Sequence, residues 1–156
     1  MPTKDISIPA QDFWQLITRP SVEEFYQDST DFRKIVVAVW SLDALVSHIC
    51  WESFTKQMNE NEGELLLKLA TDLPAFGVIR EASNCLKHAV RRGKSSKTKG
   101  SAAVTVRARG FGEAEWGVDQ YGGVSIAMVD YISGNSSSIK HAVKNLETWI
   151  TEQFAK

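Results

Sequence analysis

One long apolar segment constrains the fold more than any other feature of this sequence. Between residues 31 and 58, apolar side chains recur at intervals of three and four, which is the spacing of one face of an α-helix. Residues 35–40, Ile-Val-Val-Ala-Val-Trp, are apolar on every side. Because a helix that is apolar all round is normally buried by its neighbours, the pattern predicts a central helix from Asp31 to about Met58, with the rest of the chain packed around it.

Shorter patterns predict helices before and after the central one. An amphipathic helix over residues 11–18 is expected to end before Pro20, which has no amide hydrogen to donate. Ser21 and Glu24 have the spacing of a capping box and predict the start of a second helix. After the central helix, Asn61 is expected to cap a further short helix.

The spacing of the apolar residues changes after Gly93, from intervals of three and four to alternation. Gly93 is a suitable end for a fifth helix that begins at about Pro74 and runs to Arg92. Runs of alternating residues, separated by glycines, then predict a two- or three-stranded antiparallel meander, with residues 113–118 as the middle strand of the three-stranded form. The predicted organisation is helical over residues 10–92, a mobile basic loop over 93–101, a β meander over 102–132, and a closing helix over 137–155 capped by Ser137 or Ser138.

The chain of 156 residues, 43% of them hydrophobic, is large enough to form one core without disulfides or metals. We therefore expect a single domain, residues 1–156, of the α+β class: a mainly helical bundle around one long central helix, with the meander and a C-terminal helix. Cys50 and Cys85 are expected to be buried thiols, and no histidine stands at metal-ligand spacing, so neither a metal nor another cofactor is predicted. Since the sequence shows neither a membrane span nor a secretory signal, we expect a cytoplasmic protein without membrane contact.

The net charge of −1 conceals a strong asymmetry along the chain. The net charge is −6 over residues 1–72, +8 over 73–109 and −3 over 110–156. The segment from Lys87 to Arg109 contains no acid, and a local field of this kind concentrates phosphate-bearing ligands. The cations predicted to contact an anion or nucleic acid are Arg91, Arg92, Lys94, Lys97, Lys99, Arg107 and Arg109. The aromatic residues that follow closely and are expected to stack on unpaired bases are Phe111, Trp116 and Tyr121. The alternative is that the loop lysines only keep the loop soluble and offset the acidic remainder of the chain.

Four polar residues of the predicted fifth helix form a candidate catalytic surface. Arg80, Asn84, His88 and Arg91 stand at i, i+4, i+8 and i+11, so they are expected to project from nearly one helical face. Nearby cations would keep the His88 imidazole neutral and able to accept a proton, and an arginine would stabilise the charge of a phosphorane. The alternative is an ordinary solvated face, because no second carboxylate or nucleophile stands at a diagnostic spacing.

A second polar stripe lies on the long central helix and contains Ser41, His48 and Glu52. A hydrolase would need its serine and histidine in direct hydrogen-bond contact, whereas these two stand two turns apart on one helix. His48 is therefore interpreted as a partly buried histidine whose hydrogen bonds are satisfied.

Residues 79–88, Ile-Arg-Glu-Ala-Ser-Asn-Cys-Leu-Lys-His, follow the long central helix. This segment resembles HEPN-type helical domains and related bacterial proteins with an Asn-x-x-Lys-His helix, and the resemblance covers roughly the helical two thirds of the chain. HEPN ribonucleases carry an arginine separated by four to six residues from a histidine, and His88 takes the histidine position. The positions for that arginine are occupied by Glu81, Ala82 and Ser83. Arg80 stands one residue too early, so the resemblance implies the helical fold more strongly than the ribonuclease activity.

The leading hypothesis is therefore a HEPN-like accessory or binding domain whose basic surface contacts RNA, single-stranded DNA or another anionic partner. The enzymatic alternative is a metal-independent ribonuclease with His88 as base and Arg80 or Arg91 as charge stabiliser, with Asn84 beside them. A third hypothesis is a protein-interaction module or homodimer, formed through an exposed part of the apolar helices, since five tryptophans occur in this short chain.

Overall fold

The computed structural model describes residues 8–94, 96–108 and 125–156. The α-helices are α1 (Ala10–Phe13), α2 (Arg19–Gln27), α3 (Phe32–Ser53), α4 (Thr55–Asp72), α5 (Pro74–Leu86) and α6 (Ile139–Phe154). A π-helical turn, Trp14–Thr18, joins α1 to α2, and a 3₁₀ turn, Ser101–Ala103, precedes the sheet. The strands are β1 (Val104–Ala108), β2 (Ser125–Asp130) and β3 (Ser136–Ser138). The prediction of a mainly helical α+β fold is confirmed.

Helix α3 lies at the centre of the helical part. Asp31 caps its start, because the Asp31 carboxylate accepts a hydrogen bond from the Lys34 amide at 3.0 Å. Leu42, Leu45 and Val46 are fully buried, and helices α2, α4, α5 and α6 all pack against α3. Burial of each large aliphatic side chain stabilises the fold by roughly 1.5–3 kcal/mol, which compensates for the low helix propensity of the β-branched residues.

The central helix is shorter than predicted. It ends at Ser53 instead of about Met58, because Phe54 leaves the helical conformation (φ −138°, ψ 42°) and α4 begins at the next residue. Apolar residues continue at intervals of three and four across the break, so the pattern alone does not reveal it. Within α4, Asn61 interrupts the helix and its side chain accepts a hydrogen bond from the Glu64 amide at 3.2 Å, which confirms the predicted cap.

One turn of α3 is open to solvent. The side chains of Val37 and Trp40 are 40% and 43% exposed, so the prediction of a helix buried on every side is wrong at this turn. By length and composition α3 would also suffice to cross a membrane, contrary to the expectation that the sequence contains no such segment. However, 56% of its most apolar stretch is buried inside the structure, and the core helix of a folded domain can have the same length and composition.

The helical backbone continues through Pro20. Thr18 and Arg19 keep helical angles, and Pro20 lies in the first turn of α2, where a missing amide hydrogen is tolerated. The π-helical turn before it changes the hydrogen-bond spacing locally. Ser21 is therefore inside a helix, and its hydroxyl donates to the Ile17 carbonyl at 2.7 Å. The predicted break at Pro20 and the predicted capping box starting at Ser21 are both wrong.

Helix α5 begins with Pro74 in its first turn, as predicted, but it ends at Leu86 instead of Arg92. Main-chain hydrogen bonds of the following segment explain the early end. The Ser101 amide donates to the His88 carbonyl at 3.0 Å, and the Arg91 amide donates to the Lys99 carbonyl at 2.8 Å. These groups pair across a loop, so they are not free to extend the helix.

The sheet is antiparallel in the order β1-β2-β3, which confirms a three-stranded meander. Its third strand is formed by residues 136–138, beyond the predicted limit of 132. The middle strand predicted at residues 113–118 lies outside the described residues. Ser138 caps α6 by accepting a hydrogen bond from the His141 amide at 3.2 Å, as predicted. Helix α6 then packs against α3, α5 and β2, so the closing helix completes the core.

Candidate functional site

The structure separates the four residues that were expected to share one helical face. Arg80 and Asn84 lie on α5, whereas His88 and Arg91 follow its end. Asn84 is half-buried and its side chain forms no hydrogen bond within the part of the chain that is described, and His88 is exposed. The prediction of one stripe is wrong, because α5 ends before its last two members.

A buried carboxylate on α3 binds Arg80, which belongs to this stripe, and Lys87, which follows the end of α5. Asp43 Oδ1 lies 3.3 Å from Arg80 Nη1, and Asp43 Oδ2 lies 3.4 Å from Lys87 Nζ. The fully buried Ser83 hydroxyl donates to Asp43 Oδ2 at 2.7 Å. The Asp43 side chain is only 10% exposed, so water screens these attractions weakly. Arg80 also lies over the Phe76 ring, 6.0 Å from its centroid, and is thereby fixed in place.

This arrangement gives Arg80 a structural role. Its positive charge is opposed by the Asp43 carboxylate, so it is poorly available to stabilise the charge of a phosphorane. The Asp43 carboxylate, in turn, holds α5 against α3 through three side chains. The group of Asp43, Arg80, Ser83 and Lys87 therefore connects two helices through a buried carboxylate.

A second carboxylate anchors the loop after α5. Glu81 accepts hydrogen bonds from Arg91 Nη1 and from the Thr98 hydroxyl, the latter at 3.2 Å. Arg91 Nη1 also donates to Thr98 Oγ1 at 2.8 Å. Arg91 and Glu81 are largely buried and Thr98 is fully buried. The loop, for which the sequence showed no apolar anchor, is thus held by a polar one; its expected mobility stays a prediction.

Arg107 lies on β1 and belongs to a hydrogen-bonded network on the sheet. Its Nη2 donates to Asp130 Oδ1 and to Ser136 Oγ, both at 3.1 Å, and the Thr105 hydroxyl donates to Asp130 Oδ2 at 3.0 Å. Burial alone would raise the pKa of Asp130, but hydrogen bonds from Ser136, Arg107 and Thr105 outweigh burial and hold this pKa below its ordinary value. The predicted site residues outside the described part of the chain are Arg109, Phe111, Trp116 and Tyr121.

The remaining cations of the predicted basic surface are Arg92, Lys94, Lys97 and Lys99. From here on, the basic loop means residues 92–99, which carry these four cations. All four are exposed, and no carboxylate of the described residues lies within ion-pair distance of them. The sequence contains no acid from residue 82 to residue 112. Because Arg91 and Arg107 are engaged with carboxylates, the predicted surface of seven cations is reduced, among described residues, to these four.

The polar stripe on α3 has a structural explanation. His48 is half-buried, its Nδ1 donates to the Ile8 carbonyl at 2.9 Å, and its ring stacks on Phe13 with the centroids 4.4 Å apart. Glu52 accepts a hydrogen bond from the Ala10 amide at 2.6 Å. The interpretation of His48 as a satisfied, partly buried histidine is confirmed, and the stripe serves to attach the first described residues to α3.

Sequence reasoning missed the two buried carboxylates. Asp43 is the single acid in the most apolar part of α3, and a buried acid requires partners, so its position alone was a signal. Arg80, Ser83 and Lys87, spaced at i, i+3 and i+7, were candidate partners on one face of α5. The role of Glu81 had no such signal, because its partner Thr98 approaches only after the chain reverses.

No protein-family model, curated protein or solved structure matches this chain. The resemblance to HEPN-type domains therefore stays a prediction, and the function has to be argued from the geometry of the described residues.

Proposed function

We propose that this protein is a HEPN-like accessory module of the cytoplasm that binds nucleic acid through the basic loop. The observation that supports this proposal is a division among the cations of the central third of the chain. Those paired with carboxylates are Arg80, Lys87, Arg91 and Arg107. The four cations of the basic loop are exposed and have no such partner among the described residues. A paired cation must lose a protein contact before it meets a phosphate, whereas an unpaired one loses only water and counterions.

Hydrogen bonds anchor the end of the basic loop, at residues 97 to 99. The Arg91 amide donates to the Lys99 carbonyl, and the Ile132 amide donates to the Lys97 carbonyl at 2.9 Å. Thr98, between the two lysines, is buried against Glu81. These hydrogen bonds restrict residues 97 to 99, so less conformational entropy is lost there when a ligand binds, which favours affinity.

The same geometry favours binding over catalysis. Arg80 is held by Asp43, and the His88 side chain has no hydrogen-bond partner among described residues that would orient it as a base. The helical bundle and the segment of residues 79–88 support the HEPN-like part of the proposal, and the basic loop supports the ligand class.

The test is a salt titration of binding by fluorescence anisotropy, with labelled single-stranded RNA and DNA of about 20 nucleotides. If the basic loop contacts up to four phosphates, the logarithm of the binding constant should fall with the logarithm of salt concentration with a slope of roughly −3. Replacing Arg92, Lys94, Lys97 and Lys99 together by Gln should remove most of this slope. Absence of binding at low salt, or a slope that this variant leaves unchanged, would contradict the proposal.

A matched pair of double variants separates the loop from general charge. Lys97→Gln/Lys99→Gln removes two lysines that have no carboxylate partner among the described residues. Lys56→Gln/Lys68→Gln removes two lysines of α4 that pair with acids one turn away. Both variants change the net charge by the same amount. We expect about ten-fold weaker binding at low salt for the first and less than two-fold for the second. Equal losses would mean that overall charge, and not the basic loop, attracts the ligand.

A second candidate function, protein interaction or homodimerisation, is favoured by the open turn of α3. Val37 and Trp40 are exposed there, and the hydrogen bond from the Thr18 hydroxyl to the Ser41 carbonyl at 3.2 Å brings the exposed Ile17 close to this turn. Exposed aromatic and aliphatic side chains on one surface are typical of interfaces. Solution mass measured at several concentrations tests this function, with Trp40→Ser expected to shift any dimer toward monomer.

A further inference from the structure

The two lysines at the end of the basic loop face outward because the residue between them faces inward. Thr98 is fully buried, and its hydroxyl is engaged with Glu81 and Arg91. Lys97 and Lys99, on either side, are exposed. The buried anchor of Thr98 therefore presents both ammonium groups on the outer surface.

Two exposed aliphatic side chains border this pair of lysines. Ile132, 56% exposed, lies beside Lys97, since the Ile132 amide donates to the Lys97 carbonyl at 2.9 Å. Val90, 63% exposed, precedes Arg91, whose amide donates to the Lys99 carbonyl at 2.8 Å. The outer surface of the loop is therefore cationic in the middle and apolar at both edges.

A surface of this composition fits unpaired nucleic acid better than a duplex. In a duplex the bases are stacked inside and a protein surface without a groove-reading element meets mainly phosphates. In a single strand the faces of the bases are accessible to side chains while the phosphates remain available to lysines. Ile132 and Val90 gain contact only in the second case, because an aliphatic side chain gains free energy by leaving water for an apolar surface.

We propose that the basic loop selects single-stranded over double-stranded nucleic acid, with Val90 and Ile132 contacting bases while Lys97 and Lys99 contact phosphates. This inference rests on the proposed nucleic-acid function and specifies its ligand. It assigns to two hydrophobic residues a role in specificity, and to the lysines a role in affinity.

The test compares three probes with equal numbers of phosphates: an unstructured pyrimidine oligonucleotide, a blunt-ended duplex, and an abasic strand. We expect the full chain to bind the unstructured strand about ten-fold more tightly than either of the others, because only this probe offers accessible bases. The variant Val90→Ser/Ile132→Ser should bind the unstructured strand about five-fold more weakly and the duplex unchanged, since each side chain buries only part of its surface.

The matched control is Leu67→Ser on α4, because Leu67 is 63% exposed, as Val90 is. It should leave binding of all three probes unchanged. Equal affinity for the three probes with a steep salt dependence would overturn the single-strand selectivity but keep the proposed function. Absence of binding to every probe at low salt would overturn both, as would binding to vesicles of anionic lipid with no binding to the oligonucleotides.

Discussion

Asp43→Ala should destabilise the protein because it removes the carboxylate shared by Arg80, Ser83 and Lys87. The substitution leaves the fully buried Ser83 hydroxyl without its acceptor, which costs roughly 1–3 kcal/mol. It also leaves Arg80 and Lys87 without a counter-charge, but their side chains are 26% and 49% exposed and can be rehydrated. We therefore expect a total loss of about 2–4 kcal/mol, somewhat less than for a fully buried ion pair. For a chain of this length the melting temperature should fall by about 5–15 °C.

The assay is urea unfolding followed by circular dichroism, with the midpoint and the slope m fitted separately. The matched control is Asp72→Ala, which removes an aspartate paired with Lys68 at 2.5 Å on an exposed surface and should cost less than about 0.5 kcal/mol. Asp43→Asn keeps an acceptor for Ser83 and should cost about half as much as Asp43→Ala. If Asp43→Ala and Asp72→Ala had the same effect, the account of Asp43 as a buried connection between α3 and α5 would be refuted.

Three further predictions concern packing, pH and thiol reactivity. Gly77→Ala should destabilise the protein by about 1–3 kcal/mol, because an added Cβ would lie 2.7 Å from a carbonyl oxygen of α4. The control Gly63→Ala, whose Cβ would have no atom closer than 3.9 Å, should be neutral or stabilising. The urea midpoints of the two variants are compared. The pKa of Asp130 is lowered in the folded protein, so its carboxylate stabilises the fold fully above the unfolded pKa, and this stabilisation is lost as the pH falls through the folded pKa. Asp130→Asn should therefore make the free energy of unfolding less dependent on pH below about pH 4. An unchanged pH dependence would contradict this. Burial raises the pKa of Cys50 and Cys85 to about 11. A thiol reagent at pH 8 should therefore modify these cysteines only as the protein unfolds. Rapid modification of the native protein would contradict this prediction.

The sequence was sufficient for the fold class but not for the ends of the helices. The predicted caps at Asn61 and Ser138 are confirmed, whereas the predicted capping box at Ser21 is wrong because the helical backbone continues through Pro20. The breaks at Phe54 and after Leu86 were missed, because the first interrupts a continuous apolar spacing and the second depends on hydrogen bonds to residues 99 and 101. Contacts between residues distant in sequence decide such boundaries, and single-sequence patterns do not contain them.

The candidate site depended on one of these boundaries. A helix that continued to Arg92 would have placed Arg80 and His88 on one face, as predicted, and the early end of α5 removed that arrangement. Charge counting correctly located a basic segment in the sequence, but it could not show which cations have carboxylate partners. That distinction follows from the positions of Asp43 and Glu81 relative to α5, which depend on the tertiary fold.

The unpaired cations carry an energetic consequence that the paired ones do not. Four like charges within eight residues of one another in sequence repel, and no carboxylate of the described residues relieves the repulsion. Neutralising Lys97 and Lys99 should therefore leave the folded state equally stable or slightly more stable, in contrast to the removal of Asp43. A substitution that weakens ligand binding while preserving stability identifies a surface used for function, because a residue needed only for folding would show the reverse. Removing charge from the basic loop should thus weaken ligand binding and preserve stability, whereas removing the charge of Asp43 should lower stability.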